Sequence, residues 1–281
     1  MKYIDIHCHL DFPDYDADRQ EVLVRMKEQE VGAITIGADL ESSKKAVEIA
    51  EANKNIWACI GVHPEEVAKS VFEMPRSQKT PFDASEFEKL VRSPKVVGVG
   101  ECGLDYLAPR SSSGARSEVG FSDKVAQKNL FEQQIKFAKK YNKPLMLHIR
   151  SSTKTQDAYL DALNILESYK KEAGEKLRGN VHFFAGDTEI AKKFLDLGFT
   201  MSFTGVITFT QDYNEVIKYI PQNFIMSETD APFVAPVPFR GKRNEPAYVI
   251  EVAKKLAEIR GEDSDTMNNA IIQNFKRVFG V

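Results

Sequence analysis

What most limits the folds open to this chain is an alternation. Eight short apolar, β-branched runs recur along it, each followed by a longer segment with helical spacing of its apolar residues. The runs cover residues 3–10, 33–38, 56–62, 95–100, 144–148, 180–184, 200–203 and 224–230. Between them the spacing predicts helices over 16–30, with Gly32 closing the first, then over 42–53, 83–91, 123–141, 156–171, 187–197 and 213–219. Two more, over 246–259 and 264–278, finish the chain. Asp83 and Glu86 have capping-box spacing, and Asp187 reads as an N-cap. Strands separated by helical crossovers pair in parallel, and eight such units close into an α/β fold of the (β/α)8 TIM-barrel type. No internal repeat or low-complexity linker divides the chain, so 1–281 is expected to be a single barrel domain.

Composition excludes several classes. The 38 basic and 41 acidic residues give a net charge of -3 and are mixed along the chain, so long-range electrostatics would not recruit nucleic acid and any anionic substrate must be held locally. Met1-Lys2 leads into no apolar signal segment, and no stretch approaches the roughly 20 apolar residues that span a bilayer. A cytoplasmic, unprocessed protein with no membrane partner is the expectation. Cys8, Cys59 and Cys102 sit inside apolar runs without ligand spacing, which suits buried free thiols rather than a cysteine metal site.

In a barrel of this kind the reacting groups gather where the strands end and the strand-to-helix loops form one rim. The chemistry-bearing residues fall there. In the first run, Asp5, His7 and His9 share one face of an extended strand, with Ile4 and Ile6 on the other. All five histidines (His7, His9, His63, His148 and His182) lie at or just beyond a predicted strand end, as do Glu101 and Asp230. Singly, each has a structural explanation: Asp230 as a helix cap, Glu101 as partner of a buried arginine, His182 as donor to a carbonyl. Together, four imidazoles and two carboxylates on one rim suit one or two divalent cations. His63, in a Gly-Val-His-Pro turn, is read as a substrate contact or a support for the ligands.

The residues that carry this pattern resemble the TatD-like metal-dependent deoxyribonucleases, within the wider amidohydrolase-like barrels. The resemblance runs through Asp5-Ile6-His7-Cys8-His9-Leu10, Gly61-Val62-His63-Pro64, Gly98 to Tyr106, Pro144 to Arg150, Gly179 to Gly186, Glu228-Thr229-Asp230-Ala231-Pro232 and Arg243-Asn244-Glu245-Pro246, in that order over nearly the whole chain. It implies two divalent metal ions (Mg, Mn or Zn), one held by His7, His9, Glu101 and Asp230 and the other by Glu101, His148 and His182, with Glu101 bridging. It also implies DNA as substrate and a 3′ to 5′ exonuclease acting on single strands. The chain departs from the family pattern at Phe183 and Ala185, where a cysteine and a small hydroxyl are usual, and neither change removes a ligand.

Two cations about 4 Å apart supply what phosphodiester hydrolysis needs: a polarised phosphate, an activated water and a neutralised leaving oxygen. Asp230 and Glu101 are the expected catalytic carboxylates, Asp230 also orienting and deprotonating the water. Arg150, two residues after His148, and Arg243, after the eighth run, are candidate phosphate contacts or structural ion pairs. Residues 72–82 and 107–122 read as insertions into rim loops, the second a basic lid containing Arg110 and Arg116. Two other readings stay open: an amidase, lactonase or deaminase of the same superfamily, which often carries a bridging lysine where this chain has Glu101, and a metal-stabilised barrel that binds without catalysis.

Overall fold

Eight strands hydrogen-bond side by side in the order of the sequence, every adjacent pair parallel. They are β1 (Tyr3–Cys8), β2 (Val31–Ile36), β3 (Ile56–Ile60), β4 (Val96–Asp105), β5 (Leu145–Arg150), β6 (Gly179–Val181), β7 (Thr200–Phe203) and β8 (Ile225–Ser227). This computed structural model describes residues 1–67, 82–107 and 119–281. Among them the helices are α1 (Arg19–Glu28), α2 (Leu40–Ala52), α3 (Ala84–Val91), α4 (Phe121–Tyr141), α5 (Asp157–Ala173), α6 (Thr188–Asp196), α7 (Asn214–Tyr219), α8 (Val249–Arg260) and α9 (Ser264–Phe279). The result is the expected barrel of alternating strands and helices, nearly closed. The expected rim insertions fall largely outside the described residues. No described helix is long and apolar enough to cross a membrane.

The barrel closes between β8 and β1 by few backbone bonds. Cys8 and Ala231 form an isolated bridge, His9 donates its amide to Ala231 (2.8 Å) and Asp230 donates its own to His7 (2.9 Å). Side chains complete the seam: the Ser227 hydroxyl donates to the Ile4 carbonyl, and Asp5 accepts from both the amide and the hydroxyl of Thr229. Helix α9 packs over both strands from outside. On the outer faces Ile4, Ile6 and Ile34 are fully buried, and the three thiols are free and buried as expected.

Several boundaries move for local reasons. Helix α1 ends where Glu30 takes φ 56°, so Gly32 lies inside β2 rather than closing the helix. Asp83 caps α3 through the Ser85 amide, and the reciprocal capping box is instead Asp39 with Ser42 on α2. β4 continues past Gly100 to Asp105, with a register shift against β5 between Val99 and Cys102. Gly100 (φ 151°) and Gly103 (φ 143°) permit this, because a Cβ at either would lie 2.3 Å or less from a carbonyl oxygen of β5. Glu101 therefore projects from the middle of a strand. β6 and β8 stop early, as Phe183 (φ 45°) and Asp230 (φ 54°) leave the extended region.

Candidate metal centre

β1 delivers two buried imidazoles, His7 and His9, with rings 5.1 Å apart. Only an acceptor faces His9 Nδ1, the Ile36 carbonyl at 3.1 Å, so Nδ1 carries a hydrogen. His9 Nε2 then faces Glu101 Oε2 at 3.7 Å and Asp230 Oδ1 at 3.6 Å. His7 Nε2 lies 3.5 Å and 3.8 Å from the same two oxygens. Asp5, two residues before His7, accepts the His7 amide at 3.2 Å and so ties it to Thr229 across the seam.

The other oxygen of Glu101 faces a different group. Oε1 lies 2.6 Å from His148 Nδ1 and 3.4 Å from His182 Nε2. His182 turns its Nδ1 to Glu228 Oε1 (3.0 Å); Glu228 also accepts from the Phe183 amide and, through Oε2, from the Ser202 hydroxyl. Each glutamate oxygen thus belongs to its own cluster: His7, His9 and Asp230 on one side, His148 and His182 on the other. All six residues nominated from the sequence as ligands converge.

His63 stands apart in its chemistry. The Glu65 amide donates to its Nδ1 at 3.1 Å, which leaves the hydrogen of the neutral ring on Nε2, 3.8 Å from Glu101 Oε1. His9 and His63 are therefore held the opposite way round, His9 by a hydrogen on Nδ1 and His63 by an Nδ1 lone pair that leaves its hydrogen on Nε2. Burial, reinforced by the charge on His148, pushes His63 down to about 3 and keeps it neutral. For His148 burial acts downward too, but Asp105 and Glu101 on either side outweigh it and raise the ring to about 10. Burial of His9 is likewise outweighed, by Asp230 and Glu101, to about 9. Glu101 and Asp230, despite burial that favours protonation, are held below the ordinary carboxylate range by the surrounding imidazoles.

These groups fit a cation. Both ring nitrogens of the fully buried His7 lack a hydrogen-bond partner, and its ring stacks on His182 at 3.5 Å and 13°. A buried polar group left unpaired costs about 1–3 kcal/mol, and two imidazoles stacked face to face cannot satisfy each other. A cation held by His7 Nε2 would relieve that cost at one of the two nitrogens, and the donors, imidazole nitrogen and carboxylate oxygen, suit divalent first-row metals and magnesium.

The two arginines, candidates for phosphate contacts or ion pairs, are both ion-paired. Arg150 Nε donates to Asp105 Oδ1 (2.8 Å) and Nη2 to Glu65 (2.7 Å). Arg243 grips Asp18 with both terminal nitrogens (2.7 and 2.6 Å) over the Tyr15 ring. The folded chain brings these carboxylates to them from other elements, Asp105 from the end of β4 and the others from outside the strands, which residue spacing does not reveal. Asp5, Asp105 and Glu228, buried acids that support the centre's histidines, were not singled out for that task by the sequence. The signal was there for two of them, since Asp5 and Glu228 precede His7 and Asp230 by two residues, one strand period.

The sequence model of a family described as TatD related DNase matches residues 4–280. The chain belongs to that family. Among TatD relatives, the uncharacterized metal-dependent hydrolase YabD of Bacillus subtilis is 35% identical over 280 residues, covering 99% of this chain and 98% of the relative. The uncharacterized metal-dependent hydrolase YcfH of Escherichia coli is 31% identical over 287 residues, covering 100% and 97%. The crystal structure of the TatD homologue YjjV from Escherichia coli superposes with a TM-score of 0.80 at 27% identity, covering 100% of this chain and 98% of that one. This TatD protein is accordingly a metal-dependent hydrolase, and its clusters of histidine and carboxylate are where a metal site is to be sought.

Proposed function

We propose that the protein is a two-metal deoxyribonuclease that removes nucleotides from single-stranded DNA in the 3′ to 5′ direction. The observation that carries this reading is the division of Glu101, one oxygen toward His7 and His9 and the other toward His148 and His182. In it, His7, His9, Asp230 and Glu101 Oε2 would hold one divalent ion, and Glu101 Oε1, His148 and His182 would hold the other. Magnesium, manganese or zinc there would supply polarisation of the scissile phosphate, a water made nucleophilic near neutral pH and neutralisation of the leaving oxygen.

The chain's own groups do the rest. Asp230, ionised and at the rim, accepts the proton of the attacking water. His63 donates its Nε2 hydrogen to a non-bridging phosphate oxygen, a task for which a neutral ring with its tautomer fixed by the Glu65 amide is suited. Arg150 holds Asp105 against His148 and acts on substrate through them. The absence of a lysine at the position of Glu101 weighs against the amide-cleaving alternatives.

The test is hydrolysis of 3′-labelled and 5′-labelled single-stranded DNA by metal-stripped protein given magnesium, manganese or zinc in turn, beside Glu101→Ala. Metal-dependent release of mononucleotides from the 3′ end, lost in the variant, is expected. No cleavage with any metal by protein that still binds metal would overturn the reading.

A further inference from the structure

The protein is weakly acidic overall and Arg150 and Arg243 are tied to carboxylates, so contacts other than charge would add to the hold on a nucleic acid. Among the described residues, most exposed large apolar side chains lie on helices or at the termini, whereas Phe209, Phe233 and Val237 lie on the loops after β7 and β8. Phe233 is 50% exposed, yet its backbone is fixed. Its amide donates to the Asp230 carbonyl at 2.9 Å, and its own carbonyl accepts from Nδ2 of the fully buried Asn244 at 2.5 Å. The ring is therefore anchored, through one tight turn, to a residue of the metal centre.

Phe233 is also the outer end of an aromatic run. Phe12 stacks on His9 with centroids 4.5 Å apart and planes at 30°. Phe233 stands edge-on to Phe12 at 5.9 Å and to His9 at 6.4 Å. The run leads from an imidazole that faces Glu101 and Asp230 out to a half-exposed ring in water, an arrangement that core packing does not require. An aromatic face held at a fixed place can stack on any base, because every base has a π-face, and it does so without cationic contacts. A base and its own phosphate are one sugar apart, and Phe233 is one turn from Asp230.

We infer that Phe233, backed by Phe12, is a base-stacking subsite that takes the nucleobase beside the scissile phosphate. The inference rests on the phosphodiesterase reading above. Phe233 binds and aligns the terminal nucleotide, it tolerates any base, and it contributes mainly to KM.

The test uses the metal-loaded protein and three single-stranded oligodeoxynucleotides: one intact, and two carrying a single tetrahydrofuran abasic nucleotide on either side of the cleaved linkage. On the intact strand, Phe233→Ala is expected to lower kcat/KM about tenfold through KM, with Phe233→Trp keeping wild-type values. On one of the two abasic strands the same Phe233→Ala change should cost less than about twofold, because the base it serves is already gone. Metal content equal to wild type in Phe233→Ala shows that the centre is intact, and Leu160→Ala, on the outer helix α5, serves as the exposed-apolar control. An equal loss on all three strands, or no loss on any, would overturn the subsite. Failure of the wild-type protein to cleave any of them would overturn the phosphodiesterase reading itself and the subsite with it.

Discussion

The two halves of the centre are built from similar residues and are prepared for a cation in opposite ways. On the β1 and β8 side, His7 has two unpartnered ring nitrogens, and His9 turns one nitrogen to a backbone carbonyl and the other inward. On the β4 and β5 side, His148 is already held between two carboxylates, Glu101 at 2.6 Å and Asp105 at 3.0 Å. An ion entering the first half satisfies groups that nothing else satisfies. One entering the second would also have to break a charge-assisted contact that the protein makes with itself on both sides of the His148 ring. The two halves therefore differ in what their donors would give up to a cation.

Glu101→Ala should have the largest effect, since Glu101 alone serves both halves. It is expected to lower kcat by about a thousandfold or more and to reduce metal content in both, read by steady-state kinetics and elemental analysis. Retention of one full-strength site would break the idea that the halves depend on a common bridge. Next come the supports, one per half. Asp5→Asn loosens the tie between His7 and Thr229, and Glu228→Gln removes the carboxylate behind His182. Each is expected to weaken metal binding in its own half by about 10–100-fold, seen as a shift of one step in a calorimetric titration. A shift of both steps together would show that the halves are a single unit.

Acidity sharpens the contrast with a smaller effect. His148 is raised to about 10 and His9 to about 9, so both carry a proton at pH 7 that metal must displace. Metal uptake should release protons, measurable in buffers of different ionisation enthalpy, and affinity should rise with pH until those values are passed. In metal-free protein the sign reverses. The raised His148 contributes stability in full below its unfolded value near 6.5 and loses it as pH rises through about 10. Asp105, depressed to about 2 because His148 and Arg150 overcome its burial, contributes above about 4 and loses that as pH falls toward 2. The melting temperature of the stripped protein should therefore fall at both extremes, and a flat profile would contradict the ion pairs.

The smallest effect concerns α4. Gln127 bonds both the amide and the carbonyl of Asp105, and Gln134 does the same for Val62, next to His63. Gln134→Leu leaves two backbone groups unpaired and should cost about 1–3 kcal/mol in chemical denaturation, with metal affinity of both halves unchanged.

Much of this was legible locally. That His7, His9 and Asp5 share a face follows from a strand's period of two, which the order of residues states outright. Glu101, His148, His182 and Asp230 were found by their place after apolar runs, although Glu101 proved to lie within β4. The helix boundaries moved by a few residues where a side chain such as Asp39 or a backbone turn at Glu30 took over from the periodic pattern. For Arg150 and Arg243 the ion-pair alternative is the one the fold fills, with Glu65 and Asp18 brought from other loops.

The sequence by itself determined which chemical groups reach the rim, because strand alternation and helix spacing are local properties. Only the tertiary structure decided what those groups are to each other. Glu101 bridges because β1 and β5 arrive on opposite sides of it. His63 keeps its hydrogen on Nε2 and His9 has one on Nδ1, because an amide faces one ring and a carbonyl the other. Asp5 closes the barrel because Thr229, 224 residues away, comes to lie across the seam. Hydrogen-bond partners and charges from distant strands fix tautomer, ionisation and contact, and no local pattern encodes them.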